Sequence, residues 1–203
     1  MQTDNKTLDF YFDFSSPYAY IAAEKIEPLA LKQGYTVQWK PILLGVVFQQ
    51  LGVKPFIGDS PKTRYVIRDF ARSAHFHGLP YQHPARFPLA TQIPACAFYW
   101  LHNQNPVRAK QLAQAFFRAY FVEGLNISDL ETTLAIAAHH GIASDALRAA
   151  LIQADVKEKL KQETAQAIEN GVFGSPFFLV GQGCFWGADR LDQLERWLAC
   201  GGW

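Results

Sequence analysis

The residues best placed to do chemistry are Ser15-Ser16-Pro17, where one pattern gives way to another. Before them, Leu8 to Phe14 is an apolar, aromatic run of strand length; after them, Ala19, Ile21, Ala22, Ile26, Leu29 and Ala30 follow helical spacing. This reads as strand, tight turn and helix, with Ser16 at or near the N-cap and Pro17 at the first helical position. A hydroxyl there lies beside unpaired backbone N–H groups and the positive end of the helix dipole, which suits an anion. An ordinary capped helix explains the same residues, since Ser-Pro caps are common. The other reactive residue types form no constellation. Cys96, Cys184 and Cys200 are odd in number and far apart, with neither a C-x-x-C pair nor metal-ligand spacing, and read as buried or incidental thiols. His75, His77, His83, His102, His139 and His140 lack ligand partners at a recognised spacing, so no metal site is expected. Gly181-Gln182-Gly183 reads as a hairpin turn and not a phosphate loop.

The chain that must position the Ser16 turn has 203 residues, enough for one large domain or a domain with an insertion. It is 49% hydrophobic and 14% aromatic, ample for a sizeable core. The net charge of +1 and the lack of a basic block give no sign of nucleic acid or an anionic membrane surface as partner. No stretch of membrane-spanning length and apolarity occurs. Met1 to Lys6 lacks the charged and apolar regions of a signal peptide, and with the cysteine usage this predicts a reducing, cytoplasmic setting.

Taken in order, the first helix is predicted from Pro17 to Lys32, ending at Gly34. Tyr35 to Lys40 reads as a second strand closed by Pro41, and the strand–helix–strand unit favours a parallel pair. From Leu43 to about Ala154 there are helical patterns and linkers but no convincing strand. Helical spacing marks Leu43–Leu51, Pro61–His77, Ile93–His102 and Val107–Glu123, with a Pro/Gly loop from Lys54 to Pro61. Asn126–His140 carries a Ser128/Glu131 capping box, and Ser144–Ile152 is predicted to be capped by Ser144. A charged helix, Asp155–Asn170, leads to a strand over Val172–Val180. A short return strand, Cys184–Trp186, and a last helix bearing Leu191, Leu194, Trp197 and Leu198 complete the chain.

This order is that of an α/β, thioredoxin-like fold with an all-helical domain inserted after the second strand. Residues 1–42 and 155–203 would form the thioredoxin-like domain and residues 43–154 the insertion. In that fold the Ser16 turn occupies the motif position, and Gly174-Ser175-Pro176 would carry a cis proline facing it. Phe12-Asp13-Phe14-Ser15-Ser16-Pro17-Tyr18-Ala19-Tyr20, Trp39-Lys40-Pro41, Val172-Phe173-Gly174-Ser175-Pro176 and Trp186-Gly187-Ala188-Asp189-Arg190 resemble the 2-hydroxychromene-2-carboxylate isomerases and kappa-class glutathione transferases, within the DsbA-like thioredoxin superfamily. Ser60-Pro61-Lys62, Arg68-Asp69, Gly78-Leu79-Pro80, Pro84 and Phe87-Pro88 extend the resemblance over nearly the whole chain.

The resemblance implies glutathione as cofactor. Redox members of the fold carry Cys-x-x-Cys where this chain has Ser16-Pro17-Tyr18-Ala19, so no turn thiolate exists for disulfide exchange. Ser16 would instead donate its hydroxyl to the glutathione sulfur and hold it as thiolate. A hydrogen bond to a charged group contributes about 1.5–3 kcal/mol, and a helix N-terminus about 0.3–1, up to ~2. Together they lower a thiol pKa by roughly one to three units from about 8.5. The resemblance further implies that Pro17 belongs to the binding turn and that Ser175, before Pro176, bonds the cysteinyl backbone of glutathione through its main chain. Trp186, Gly187, Ala188 and Asp189 would hold its γ-glutamyl end, although Asp189 also reads as an ordinary helix cap.

Lys62 and Arg64 are cations that would meet glutathione or an acidic substrate, or else form a solvated helix face. The family isomerases carry a lysine and a tyrosine toward substrate; these align with Phe48 and Phe87 here, which implies a more apolar substrate pocket. The expected activity is glutathione-dependent isomerisation of an unsaturated or aromatic-derived carboxylate, in which the thiolate adds reversibly to substrate. A kappa-type transferase that conjugates electrophiles is the alternative, and a redox-silent thioredoxin-like binding protein is the second. A homodimer is expected by resemblance.

Overall fold

The computed structural model describes residues 6–53 and 58–203. The reading of the first six residues lies outside it save for Lys6, and so does the first part of the loop expected over 54–61. The elements run β1 (Thr7–Phe12), α1 (Pro17–Lys32), β2 (Thr36–Pro41), α2 (Leu44–Leu51), α3 (Pro61–Phe76), α4 (Gln92–His102) and α5 (Pro106–Phe121). Then come α6 (Leu130–His139), α7 (Ser144–Leu151), α8 (Ala154–Glu169), β3 (Phe177–Val180), β4 (Gly183–Trp186), a 3-10 turn at Ala188–Arg190, and α9 (Leu191–Cys200).

The sheet has the order β2-β1-β3-β4. β1 pairs parallel with β2, Phe10 opposite Trp39, and antiparallel with β3, Phe10 opposite Phe178. Burial of β1 between helices explains its nearly continuous apolar run. Phe10 stacks on Phe12 and meets the edge of Trp39, while Phe12 meets Phe98 of α4 and Phe117 of α5. The helices that follow β2 thus share one core with the sheet, and the Ser16 turn leaves β1 from its centre.

Three expectations are corrected. Helix α6 starts at Leu130, capped by Asp129, whose carboxylate accepts the Thr132 N–H at 2.9 Å. Ser128 does not cap it, because its hydroxyl donates to Asn126 Oδ1 at 2.6 Å in a local turn. Helix α7 has Ala143 as its N-cap, with Ser144 already inside the helix. The strand near the C-terminus begins at Phe177 and not at Val172. The Val172 N–H closes the end of α8 on the Ala167 carbonyl at 2.9 Å, so the chain reaches the sheet only after Pro176.

Candidate active site

Ser16 is the N-cap of α1 with Pro17 in the first turn, and its Oγ accepts the Ala19 N–H at 3.2 Å. The same hydroxyl, only 6% exposed, donates its proton to the Ser175 carbonyl at 2.8 Å. The Ser175–Pro176 peptide is cis, as is Phe87–Pro88. A second bond ties the same junction, the Asp13 N–H donating to Ser175 Oγ at 2.8 Å. The turn from β1 and the entry to β3 therefore meet edge to edge, although 159 positions separate Ser16 from Ser175.

Asp13 lies beneath this junction, 3% exposed. Its carboxylate accepts the Ser15 N–H at 2.7 Å, the Ser15 hydroxyl at 2.8 Å and the Leu44 N–H at 2.8 Å. The Thr91 hydroxyl lies 3.1 Å from both of its oxygens. Leu44 is the first residue of α2 and Thr91 the N-cap of α4, and neither helix has a side-chain cap of its own. One carboxylate thus serves the turn into α1 and the N-termini of α2 and α4, where partial positive charge gathers. Burial pushes the Asp13 carboxyl above the ordinary range, opposed by the hydrogen bonds from Ser15, Leu44 and Thr91.

Two cavities flank the turn. The first, about 490 Å³, is bordered by Ser16 and Pro17 and walled by Phe48 of α2, Phe70 of α3, and Phe87. The second, about 630 Å³, is bordered by Asp69, Arg72, His77 and the run from Trp186 to Arg190. Tyr18 stands on the boundary of both. Its hydroxyl donates to Asp69 Oδ2 at 2.6 Å, and burial with that carboxylate pushes the phenol well above its usual range. Asp69 also pairs with Arg72 at 3.1 Å, so one residue sets the tyrosine and the cation together.

The far end of the second cavity is shaped by close approach. The Trp186 indole lies over Gly174, where any Cβ would fall 2.2 Å from its Nε1. Gly187, at φ +105°, donates its N–H to the Pro176 carbonyl at 3.0 Å and lies under the Asp189 carboxylate, where a Cβ would again clash. Ala188 is buried, and Asp189 is exposed and pairs with Arg190 at 3.0 Å.

The residues expected at the site are therefore mostly brought together. Ser16, Pro17, Ser175 and Pro176 form the junction, Phe48 and Phe87 wall one cavity, and Trp186, Gly187, Ala188 and Asp189 border the other. Lys62 and Arg64 are not among the residues bordering either cavity; both stand exposed at the start of α3, Arg64 paired with Asp59. Asp13, Tyr18, Asp69 and Thr91 were not anticipated. The available signals were Asp13, a carboxylate inside an otherwise apolar run, and the places of Tyr18 and Asp69 within the family motifs. Cys96 is buried, which pushes its thiol up, and Cys184 and Cys200 are exposed. Among the described residues no group of three or more His, Cys, Asp or Glu side chains is placed to hold a metal, and no helix is long and apolar enough to cross a membrane.

A thioredoxin sheet with a serine at the motif turn and a cis proline opposite defines a member of the thioredoxin class, and the model for the DSBA-like thioredoxin domain matches residues 7–199. Within that class the chain belongs to the family of 2-hydroxychromene-2-carboxylate isomerases and kappa glutathione transferases, and is an enzyme of that kind. It is 32% identical to the 2-hydroxychromene-2-carboxylate isomerase of Sphingobium xenophagum over 95% of this chain and 98% of that one. It is 25% identical to glutathione S-transferase kappa 2 of Caenorhabditis elegans over 97% and 93%. A solved 2-hydroxychromene-2-carboxylate isomerase structure superposes with a TM-score of 0.82 at 29% identity, covering 96% of this chain and 94% of that one.

Proposed function

We propose that the chain is a glutathione-dependent isomerase of an unsaturated, aryl-bearing compound, with Ser16 holding the cofactor sulfur as thiolate. The observation that carries this reading is the buried Ser16 hydroxyl, at the N-cap of α1 and at the edge of an apolar cavity. The residues fit glutathione by their own chemistry. The second cavity offers carboxylates and guanidinium groups to a zwitterionic end. Held at Ser16 and Ser175, glutathione would supply a nucleophilic thiolate for reversible addition to an alkene, chemistry whose substrate and product are isomers and which does not consume the thiol.

Ser16 has a single proton to give, and it now goes to the Ser175 carbonyl. Donating to sulfur means swinging that proton away while Oγ keeps the Ala19 N–H. The Ser175 carbonyl is then freed to accept the N–H of the incoming cysteinyl residue. One rotation thus exchanges an internal hydrogen bond for two to the ligand. Pro17 needs no N–H and leaves the first turn of α1 open toward the anion.

Dividing the chain into a thioredoxin-like unit of 1–42 with 155–203 and a helical insertion of 43–154 belongs to the same proposal, as do a homodimer and a cytoplasmic setting. Kappa-type conjugation of an electrophile uses the same Ser16. The test follows a cis unsaturated ketone and total free thiol together. Isomerisation at constant thiol supports this reading; loss of one thiol per substrate converted favours the transferase. No conversion, or equal conversion by Ser16→Ala, overturns the role given to Ser16.

A further inference from the structure

We propose that the apolar cavity beside Ser16 selects an uncharged enone and rejects its carboxylate counterpart; this rests on the reading of the site as a thiolate-using isomerase. The sequence pointed to a carboxylate substrate, but the described part of the cavity lining offers one no cation. Among the described residues bordering it there is no lysine, arginine or histidine. Leu43, Val46, Phe48, Phe70, Phe87 and Leu89 supply most of the wall. Charge is concentrated on the other side of Tyr18, where Arg72, Arg190, Asp69, Asp189 and Asp192 border the second cavity. A ligand with ionised ends and an apolar electrophile are thereby sorted to opposite sides of one tyrosine.

The carboxyl group bordering the apolar cavity among the described residues is Asp13, and it bears on the choice directly. Its oxygens are already taken up by Ser15, Leu44 and Thr91. It already serves the N-termini of α2 and α4. A second carboxylate in the same cavity would be desolvated against mostly apolar walls, with no counter-ion among the described residues bordering it. A ketone carries the same polarised alkene with none of these costs. The remaining polar groups at the border, Gln49 and Gln92, can orient a neutral carbonyl without a counter-ion.

The test compares benzylideneacetone with cinnamate, which differ in having an acetyl group or a carboxylate on the same styryl frame. Binding of each is measured by ligand-observed NMR or calorimetry on wild type without glutathione, so that no turnover contributes. The ketone should bind at least about tenfold more tightly. Val46, 43% exposed on the cavity wall, tolerates a long side chain, and Val46→Arg should raise cinnamate affinity several-fold with little change for the ketone. Equal or tighter binding of cinnamate by wild type, or binding of neither compound, overturns the inference. The ultraviolet thiolate band of added glutathione, read on the same protein, is a separate outcome. A band with cinnamate preferred removes this inference alone, whereas loss of the band with the ketone preferred removes the glutathione reading.

Discussion

Ser16 and Asp13 do different work three positions apart. Ser16 caps α1 and holds Ser175, so Ser16→Ala should lower stability by about 1 kcal/mol as a lost cap. Its larger effect is expected on the cofactor thiol, whose pKa should rise by roughly one to two units, the equivalent of a charged hydrogen bond. Asp13 is a structural anchor for two other helices. Asp13→Asn places an NH₂ group against hydroxyl and N–H donors and leaves at least one buried donor unpaired, costing about 1–3 kcal/mol per group. At roughly 2–4 °C per kcal/mol for a chain of this size, thermal unfolding of the variant should start well below wild type. Ser16 was readable in the sequence because Ser-Pro at a strand-to-helix junction carries its own local meaning. Asp13 was not, since its partners Leu44 and Thr91 lie 31 and 78 positions away.

Among the elements, the hairpin and the turn before α9 work as one piece with the segment that enters β3. Gly174 lies under Trp186, and the Gly187 N–H holds the Pro176 carbonyl. Gly174→Ala should expel the indole, which fluorescence of the exposed Trp186 would register as a shift to longer wavelength. The same change should weaken glutathione binding while leaving the apolar cavity able to take benzylideneacetone. Equal glutathione affinity in this variant would remove the Trp186 run from the cofactor site. Most helices were evident from their apolar period. The errors fell at ends: Ser128 and Asp129 are adjacent cap-forming residues, and only the competing turn at Asn126 decides between them. The cis proline at Ser175-Pro176 was expected from the order of elements, but the apolar run from Val172 could not say that the end of α8 claims its first residue.

For the whole molecule, the β2-β1-β3-β4 sheet and the helices between β2 and β3 form a shared aromatic core, and the turn at its centre inherits that rigidity. The order of elements and the family motifs were visible in the sequence. Which cations reach the site was not: Lys62 and Arg64 lie outside, while Arg72 and Arg190 border the second cavity, because helix phase and tertiary packing set which side of α3 faces inward. His77, His83 and His102 are each held below the usual imidazole value of 6.5, chiefly by burial. A depressed folded-state pKa contributes stability that is present above the unfolded value and lost as pH falls. The midpoint of thermal unfolding should therefore be highest at neutral pH and drop as pH falls below about 6.5, with all three histidines acting in the same sense. A midpoint that rises over that interval would contradict their placement.

The central claim, that Ser16 turns a bound thiol into a thiolate, is tested most directly by a pH titration of the ultraviolet thiolate band of bound glutathione, in wild type and Ser16→Ala. The account predicts a wild-type midpoint roughly one to three units below the free thiol value of about 8.5, and a midpoint roughly one to two units higher than wild type in the variant, which keeps the helix N-terminus. Coincident midpoints in the two proteins would contradict it.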